Sequence, residues 1–340
     1  MDKKLNIFCY SSLYTNDGKK DFLNIIQNIF NEVIVIDNSY DPQMPLSVED
    51  IIFYQKINKL ASKNNNFINV ISSETIDNSF LLSLSNFSFI SFPLAALYGV
   101  FSLLGEDNVW NYNNQIKQTY LEKPKYFLKC LNHNMNSSRV IMVDLLEKNN
   151  LLQDSTTLYS WNRANVNERD TPEFKYYNGA YHKIDDVADE WSYQYTSPIL
   201  QRNSIIHLVG ETSHLISGFT EKTFKPILYG ECFVLYGVKN QNKLLTEFGF
   251  RIFDNIIDYE FDHISDEKDG IKKIVSQIYK LKNTPFDKIL NKTIDTVLHN
   301  SKLAIDIVKN KKYVPNILKT DKGNIKIYSI SANLRPICQD

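Results

Sequence analysis

Thr220, Glu221, Lys222 and Lys225 stand close together, just after an apolar, strand-like run, and have the side chains needed to hold an anion beside a hydroxylated group. Thr220 is a suitable helix cap, which puts Glu221 and Lys222 in the first helical turn. Such a turn offers N–H groups without helical partners and a partial positive charge, a good match for phosphate. Lys222 adds a full charge and Lys225 follows one turn later. Glu221 can accept hydrogen bonds from sugar hydroxyls. Glu211, at the end of the preceding run Ser204–Val209, can reach donor-sugar hydroxyls on the same rim. Together these groups could hold a nucleotide diphosphate-sugar.

A second group lies upstream. The apolar run Tyr126–Leu131 ends at Asn132 and His133, and a helix is predicted to start at Ser137 or Ser138 with Arg139 in its first turn. In a parallel sheet, both helix starts open on the same rim. Arg139 and Lys222 would then clamp one pyrophosphate, Arg139 through a forked contact and Lys222 as a point charge.

The elements needed to place these residues are legible in the sequence. Leu5–Tyr10, Glu32–Asp37 and Phe67–Ser72 read as strands, separated by helical spacing over Lys19–Phe30 and Val48–Ser62. No Gly-x-Gly-x-x-Gly turn follows the first strand. A polar segment, Glu106–Lys123, precedes a second alternating series that ends in two long helices, Asp266–Leu281 and Phe286–Lys309, and a mixed tail. The expected fold class is α/β, with two Rossmann-like lobes of GT-B type and a cleft between them. The expected domains are an acceptor-side lobe over 1–119, a donor lobe over 120–310 and a C-terminal tail over 311–340.

The pattern of a strand, then Asn132, Ser137, Arg139 and Val140, followed downstream by Thr220-Glu221-Lys222, resembles the donor-binding domain of the α-1,3-fucosyltransferases. That resemblance implies contacts from Arg139, Glu221 and Lys222 to a sugar nucleotide. Glu211-Thr212, Thr220–Ile227 and Phe248–Phe253 also resemble a group of phage and bacterial glycosyltransferase-like proteins. The likeness covers roughly residues 123–262. The chain departs from the fucosyltransferase pattern at Thr223 and at Lys225-Pro226, so guanine and fucose selectivity are not implied.

Each residue also has a plainer reading. Glu221 and Lys225 suit a surface i,i+4 pair. Arg139 can pair with Asp144 or Glu147 on its own helix, and Glu211 can cap a turn. His133 and His207 suit structural positions. Asp37, closing the second strand, is either a loop cap or the general base; Asp37 and His133 are the catalytic candidates. Lys309, Lys311, Lys312 and Tyr313 offer either a solvated face or phosphate contacts with stacking.

Composition sets outer bounds. The chain has 340 residues, a net charge of −1 and 43% hydrophobic residues. No global field draws it to nucleic acid or an acidic membrane. Cys9, Cys130, Cys232 and Cys338 lack metal-ligand spacing and read as buried thiols. The apolar stretch from Phe80 to Leu104 is too interrupted for a membrane span. A soluble, cytoplasmic protein is expected.

The function expected from these readings is a glycosyltransferase that moves a sugar from a nucleotide diphosphate-sugar to a hydroxyl, by an inverting, metal-independent reaction. The nucleotide-sugar is a co-substrate, and no cofactor is called for. The acceptor is a glycan or, in an alternative reading, a hydroxymethylated base in DNA. A second alternative is a non-catalytic nucleotide- or carbohydrate-binding protein.

Overall fold

The computed structural model describes residues 5–9, 16–38, 48–72, 83–105, 116, 120, 124, 126–132, 137–152, 157–161, 204–211, 218–315 and 325–328. In chain order, its elements are β1 (Leu5–Cys9), α1 (Asn16–Ile26), β2 (Val33–Asn38), α2 (Val48–Asn64), β3 (Phe67–Ser72), β4 (Phe87–Ser91), α3 (Ala95–Leu104) and β5 (Tyr126–Asn132). They continue with α4 (Ser137–Lys148), β6 (Thr157–Trp161), β7 (Ser204–Gly210), α5 (Glu221–Leu228), β8 (Phe233–Tyr236) and α6 (Gln241–Glu247). A 3-10 turn (Tyr259–His263), α7 (Glu267–Leu281), α8 (Phe286–Lys309) and β9 (Ile325–Tyr328) complete the series. The chain divides into two compact units: residues 1–99 with 311–340, and residues 100–310.

The first unit carries a sheet of order β4-β3-β2-β1-β9, with every neighbouring pair parallel. Segment 311–340, set apart as a tail on sequence grounds, contributes β9, where Leu5 faces Ile325 and Phe8 faces Tyr328. The interrupted apolar stretch before Leu104 supplies β4 and α3. Helical spacing brings Phe22 and Ile26 of α1, and Phe53, Ile57 and Ala61 of α2, onto Ile34, Ile36, Ile68 and Val70 of the sheet. Lys19 Nζ meets Asp50 at 2.6 Å and links the two helices. The turns that lead into the strands use asparagine: Asn31 and Asn65 adopt φ of 58° and 55°, which asparagine tolerates better than most residues. The Asn64 amide donates to the carbonyls of Ile26, Gln27 and Ile29 and so closes the end of α1.

The second unit has a four-stranded parallel sheet of order β6-β5-β7-β8. On one face, Leu128, Cys130, Ile206, Leu208, Val234 and Tyr236 pack with Val143 and Leu146 of α4 and with Ile271, Ile274, Val275 and Ile278 of α7. The α7 residues recur at one-turn spacing, and Asp266 caps the helix by accepting from Asp269 N at 2.9 Å. Strand alternation turns Lys129 and His207 toward the opposite face. On the aromatic side of this unit, Phe224 of α5 packs at a tilt against Phe250, and Phe233 of β8 edge-on against Phe253.

The chain runs from β5 outward to β6, then returns past β5 to β7 and β8. Strand order therefore reverses between β5 and β7. Crevices beyond the carboxyl ends of two such strands are where open parallel sheets hold ligands.

Candidate anion-binding site

The carboxyl end of β5 carries Asn132 and leads to α4; the carboxyl end of β7 carries Gly210 and Glu211. Arg139, in the first turn of α4, reaches across this switch point and donates from Nη2 to the Gly210 carbonyl at 2.8 Å. A methyl group on Gly210 would lie 3.5 Å from Arg139 Cγ and 3.6 Å from Asn132 Oδ1, so the three residues are in close contact. Asn132 and Arg139 are both 1% exposed. The Asn132 amide donates to Cys130 Sγ at 3.3 Å, and its Oδ1 has no hydrogen-bond partner among the described residues. Ser138 Oγ donates to Glu267 Oε1 and joins the starts of α4 and α7.

Thr220 caps α5: its Oγ1 accepts from Lys222 N at 3.3 Å. Glu211 holds the same helix start in place. Its carboxylate accepts from Thr220 N at 3.0 Å, from Thr220 Oγ1 at 2.6 Å and from Thr223 Oγ1. A negative side chain there also complements the helix dipole. Glu211 is thus engaged, in this structure, with the turn that carries Lys222. Glu221 accepts from Lys222 Nζ at 2.6 Å, and the pair is about a quarter exposed on each side.

The electrostatics tie these groups into one cluster. Burial lowers the pKa of the Arg139 guanidinium, while Glu211 and then Glu221 oppose that effect by attraction. Burial pushes Glu221 up, but Lys222 and Lys225 outweigh it and hold the carboxyl at about 2. Burial lowers Lys225 to about 8; Glu221 counters this, and the neighbouring Lys222 and Lys129 add to it. Arg139, Lys222 and Lys225 thus share the field of Glu221, Glu211 also faces Arg139, and Glu267 adjoins the start of α4 through Ser138. The Lys222–Glu221 pair is the solvent-facing part of this group. Such an arrangement can accept an anion by exchanging a carboxylate partner for a phosphate oxygen.

Of the remaining sequence-derived candidates, Asp37 closes β2 in the first unit, in register with Cys9 and Ile71; its side chain lies outside the described part. His133 lies outside the described residues. Lys309, Lys311, Lys312 and Tyr313 are exposed, and Tyr98 donates to the Lys312 carbonyl. Among the described residues, no group of three His, Cys, Asp or Glu is placed to hold a metal ion, and no helix is long and apolar enough to cross a membrane. Cys130 and Cys232 are free and buried, and burial raises both thiols.

Sequence reasoning missed a second polar cluster below the rim. Lys129, in mid-β5, donates to Glu231 Oε1, and the other Glu231 oxygen meets His207 Nδ1 at 2.7 Å. The Lys129 and Glu231 side chains are each 1% exposed. Burial would raise Glu231, but Lys129 and His207 hold it at about 2. Burial, then Lys129, lowers His207 to about 4, so the neutral ring donates from Nδ1 to the carboxylate. The signal was present: a lysine interrupts the apolar run of β5, and a glutamate sits between Gly230 and Cys232.

No protein-family model matches the chain. No curated protein matches it at a significant level. Among solved structures, the chain is similar to a crystal structure of an α1,3-fucosyltransferase, with 12% identity, TM-score 0.41, and coverage of 89% of this chain and 92% of the other. It is also similar to a crystal structure of α1,3-fucosyltransferase with GDP-fucose, with 9% identity, TM-score 0.40, and coverage of 95% and 93%. Both TM-scores are below one half, so no activity is carried over from them.

Proposed function

We propose that the second unit binds the diphosphate of a nucleotide-sugar beyond the carboxyl ends of β5 and β7, and that the protein is a glycosyltransferase. What supports this reading is the placement of Arg139 across the switch point, where it donates to the Gly210 carbonyl, and of Lys222 and Lys225 on α5, with Glu221 within the field of all three. Loss of a nucleoside diphosphate from a sugar accumulates negative charge on the leaving group. Cations fixed in advance near a helix start stabilise that charge without reorganising, a contribution of several kcal/mol in comparable sites. Lys222, partly exposed, would turn from Glu221 to a phosphate oxygen, while Arg139 is buried and donates to the Gly210 carbonyl.

The finer proposals are a GT-B fold and an inverting, metal-independent transfer to a hydroxyl acceptor, with Asp37 or His133 as the candidate group that takes the acceptor proton.

A thermal-shift panel of UDP-, GDP-, ADP- and CMP-sugars tests the reading. A donor at a hundred times its Kd stabilises the fold by about 2.7 kcal/mol. Lys222→Ala, a change at a partly exposed position, should remove most of that shift and leave the unliganded melting temperature nearly unchanged. Arg139→Ala should remove it as well, with circular dichroism used to confirm folding. A full shift retained by Lys222→Ala, or no shift with any nucleotide, rejects the site. Sugar release from the stabilising donor then separates an enzyme from a binding protein.

A further inference from the structure

We infer that Lys129, Glu231 and His207 form a positioning device that fixes the lysine-bearing helix α5 against the two strands of the switch point. Lys129 and His207 are register partners on β5 and β7, the interior strands whose carboxyl ends form the rim. Glu231 is the residue at which α5 is closed. The Gly230 N–H donates to the Ile227 carbonyl at 3.2 Å and the Glu231 N–H to the Pro226 carbonyl at 2.8 Å, the paired bonds of a Schellman ending. Gly230 has φ of 68°, and a Cβ there would lie 2.7 Å from Ile116, so the turn is built for glycine. The backbone of Glu231 therefore ends the helix, and its side chain fastens that end to both strands.

Each end of α5 thus has a buried glutamate: the Glu211 carboxylate accepts from the first turn, and Glu231 closes the last turn through its backbone while its carboxylate ties that end to β5 and β7. The helix is short, and Pro226 removes one of its internal hydrogen bonds. A segment of this kind holds its place through tertiary contacts more than through propensity. Apolar residues would fill the same interface at no loss of stability, since buried ion pairs rarely outdo them. What the ionic cluster adds is direction: a planar carboxylate with a fixed donor on each oxygen sets where the helix ends and how it is rotated. That rotation decides whether Lys222 and Lys225 face the rim. Lys225 lies within the field of Lys129, and His207 within that of Lys225, so the two clusters adjoin.

The link to ligand affinity rests on the nucleotide-binding reading above; the fixing of α5 does not. The experiment uses hydrogen exchange by mass spectrometry on the full chain, with α7 as an internal control for folding, and titration with UDP and GDP. Lys129→Met/Glu231→Leu replaces the pair by apolar groups and avoids stranding a buried charge. It should accelerate exchange across α5 about tenfold, leave α7 unchanged and weaken nucleoside diphosphate binding about tenfold. His207→Phe should act in the same direction. His207→Asn, whose amide can donate to the carboxylate from the Nδ1 position, should restore both readouts to within about twofold of the parent. Unchanged α5 exchange in the double variant and in His207→Phe overturns the inference. So does undiminished nucleotide binding by the folded double variant. If α5 loosens as expected but the parent binds no nucleotide, the positioning role stands and the donor reading falls.

Discussion

Lys225 should cost the unliganded protein stability, and that cost should disappear at high pH. The perturbation is Lys225→Met, which keeps the length of the side chain and removes its charge. Burial, joined by Lys222 and Lys129, brings the ammonium from its ordinary 10.5 to about 8, against the attraction of Glu221. That gap corresponds to roughly 3 kcal/mol between the two protonation states. The sign follows from proton counts. Below pH 8, folded and unfolded chains both carry the proton, and the penalty for burying it is complete. Between pH 8 and 10.5 the unfolded chain binds more protons, so this group makes unfolding free energy rise with pH, by at most about 1.4 kcal/mol per pH unit. Above 10.5 the penalty is gone. The methionine variant carries no such proton, but its loss deprives Glu221 of a cationic neighbour. It should therefore be more stable than the parent at pH 7 by about 1 to 3 kcal/mol, with the advantage shrinking above pH 8. Urea unfolding of both proteins at pH 7, 8, 9 and 10 measures the difference and cancels the titration of groups not coupled to Lys225. Parallel stability curves, or a variant less stable at pH 7, would refute the reasoning.

The same lysine predicts proton uptake on ligand binding. A diphosphate at the rim raises the Lys225 pKa, so at about pH 8.5 the binding heat of a nucleoside diphosphate should depend on the ionisation enthalpy of the buffer, and in Lys225→Met it should not. Glu211→Gln keeps the shape but removes the charge that faces Arg139 and one strong acceptor at the start of α5. Its expected cost is about 2 to 4 kcal/mol by chemical unfolding; a loss below half a kcal/mol would show that Glu211 does not anchor the helix.

Much of the fold was readable because parallel, doubly covered strands and amphipathic helices leave plain periodic marks. Glu32–Asp37, Phe67–Ser72 and Ser204–Val209 stand out as apolar runs, and α7 and α8 as long helical repeats. The strand at Phe87–Ser91 and α3 did not stand out, because their apolar residues merge into one stretch with no period to separate them. The fate of segment 311–340 was not legible either: a four-residue strand has no local sign of the partner it will find, and β9 pairs with β1 from the far end of the chain.

At the site, the amino-acid sequence by itself determined the chemistry available: a capped helix start bearing Glu221 and Lys222, an arginine in the first turn of α4, and an acid after β7. These are local properties, fixed by residue type and by spacing within a turn. Tertiary structure alone decided which of them meet. Strand order put β5 beside β7, which brought Arg139 to the Gly210 carbonyl and the field of Glu221, turned Glu211 onto the cap of α5, and buried Lys129 with Glu231 and His207. Contacts between residues so distant along the chain depend on the crossover of the sheet and on the face each side chain takes, and neither is encoded in a local pattern.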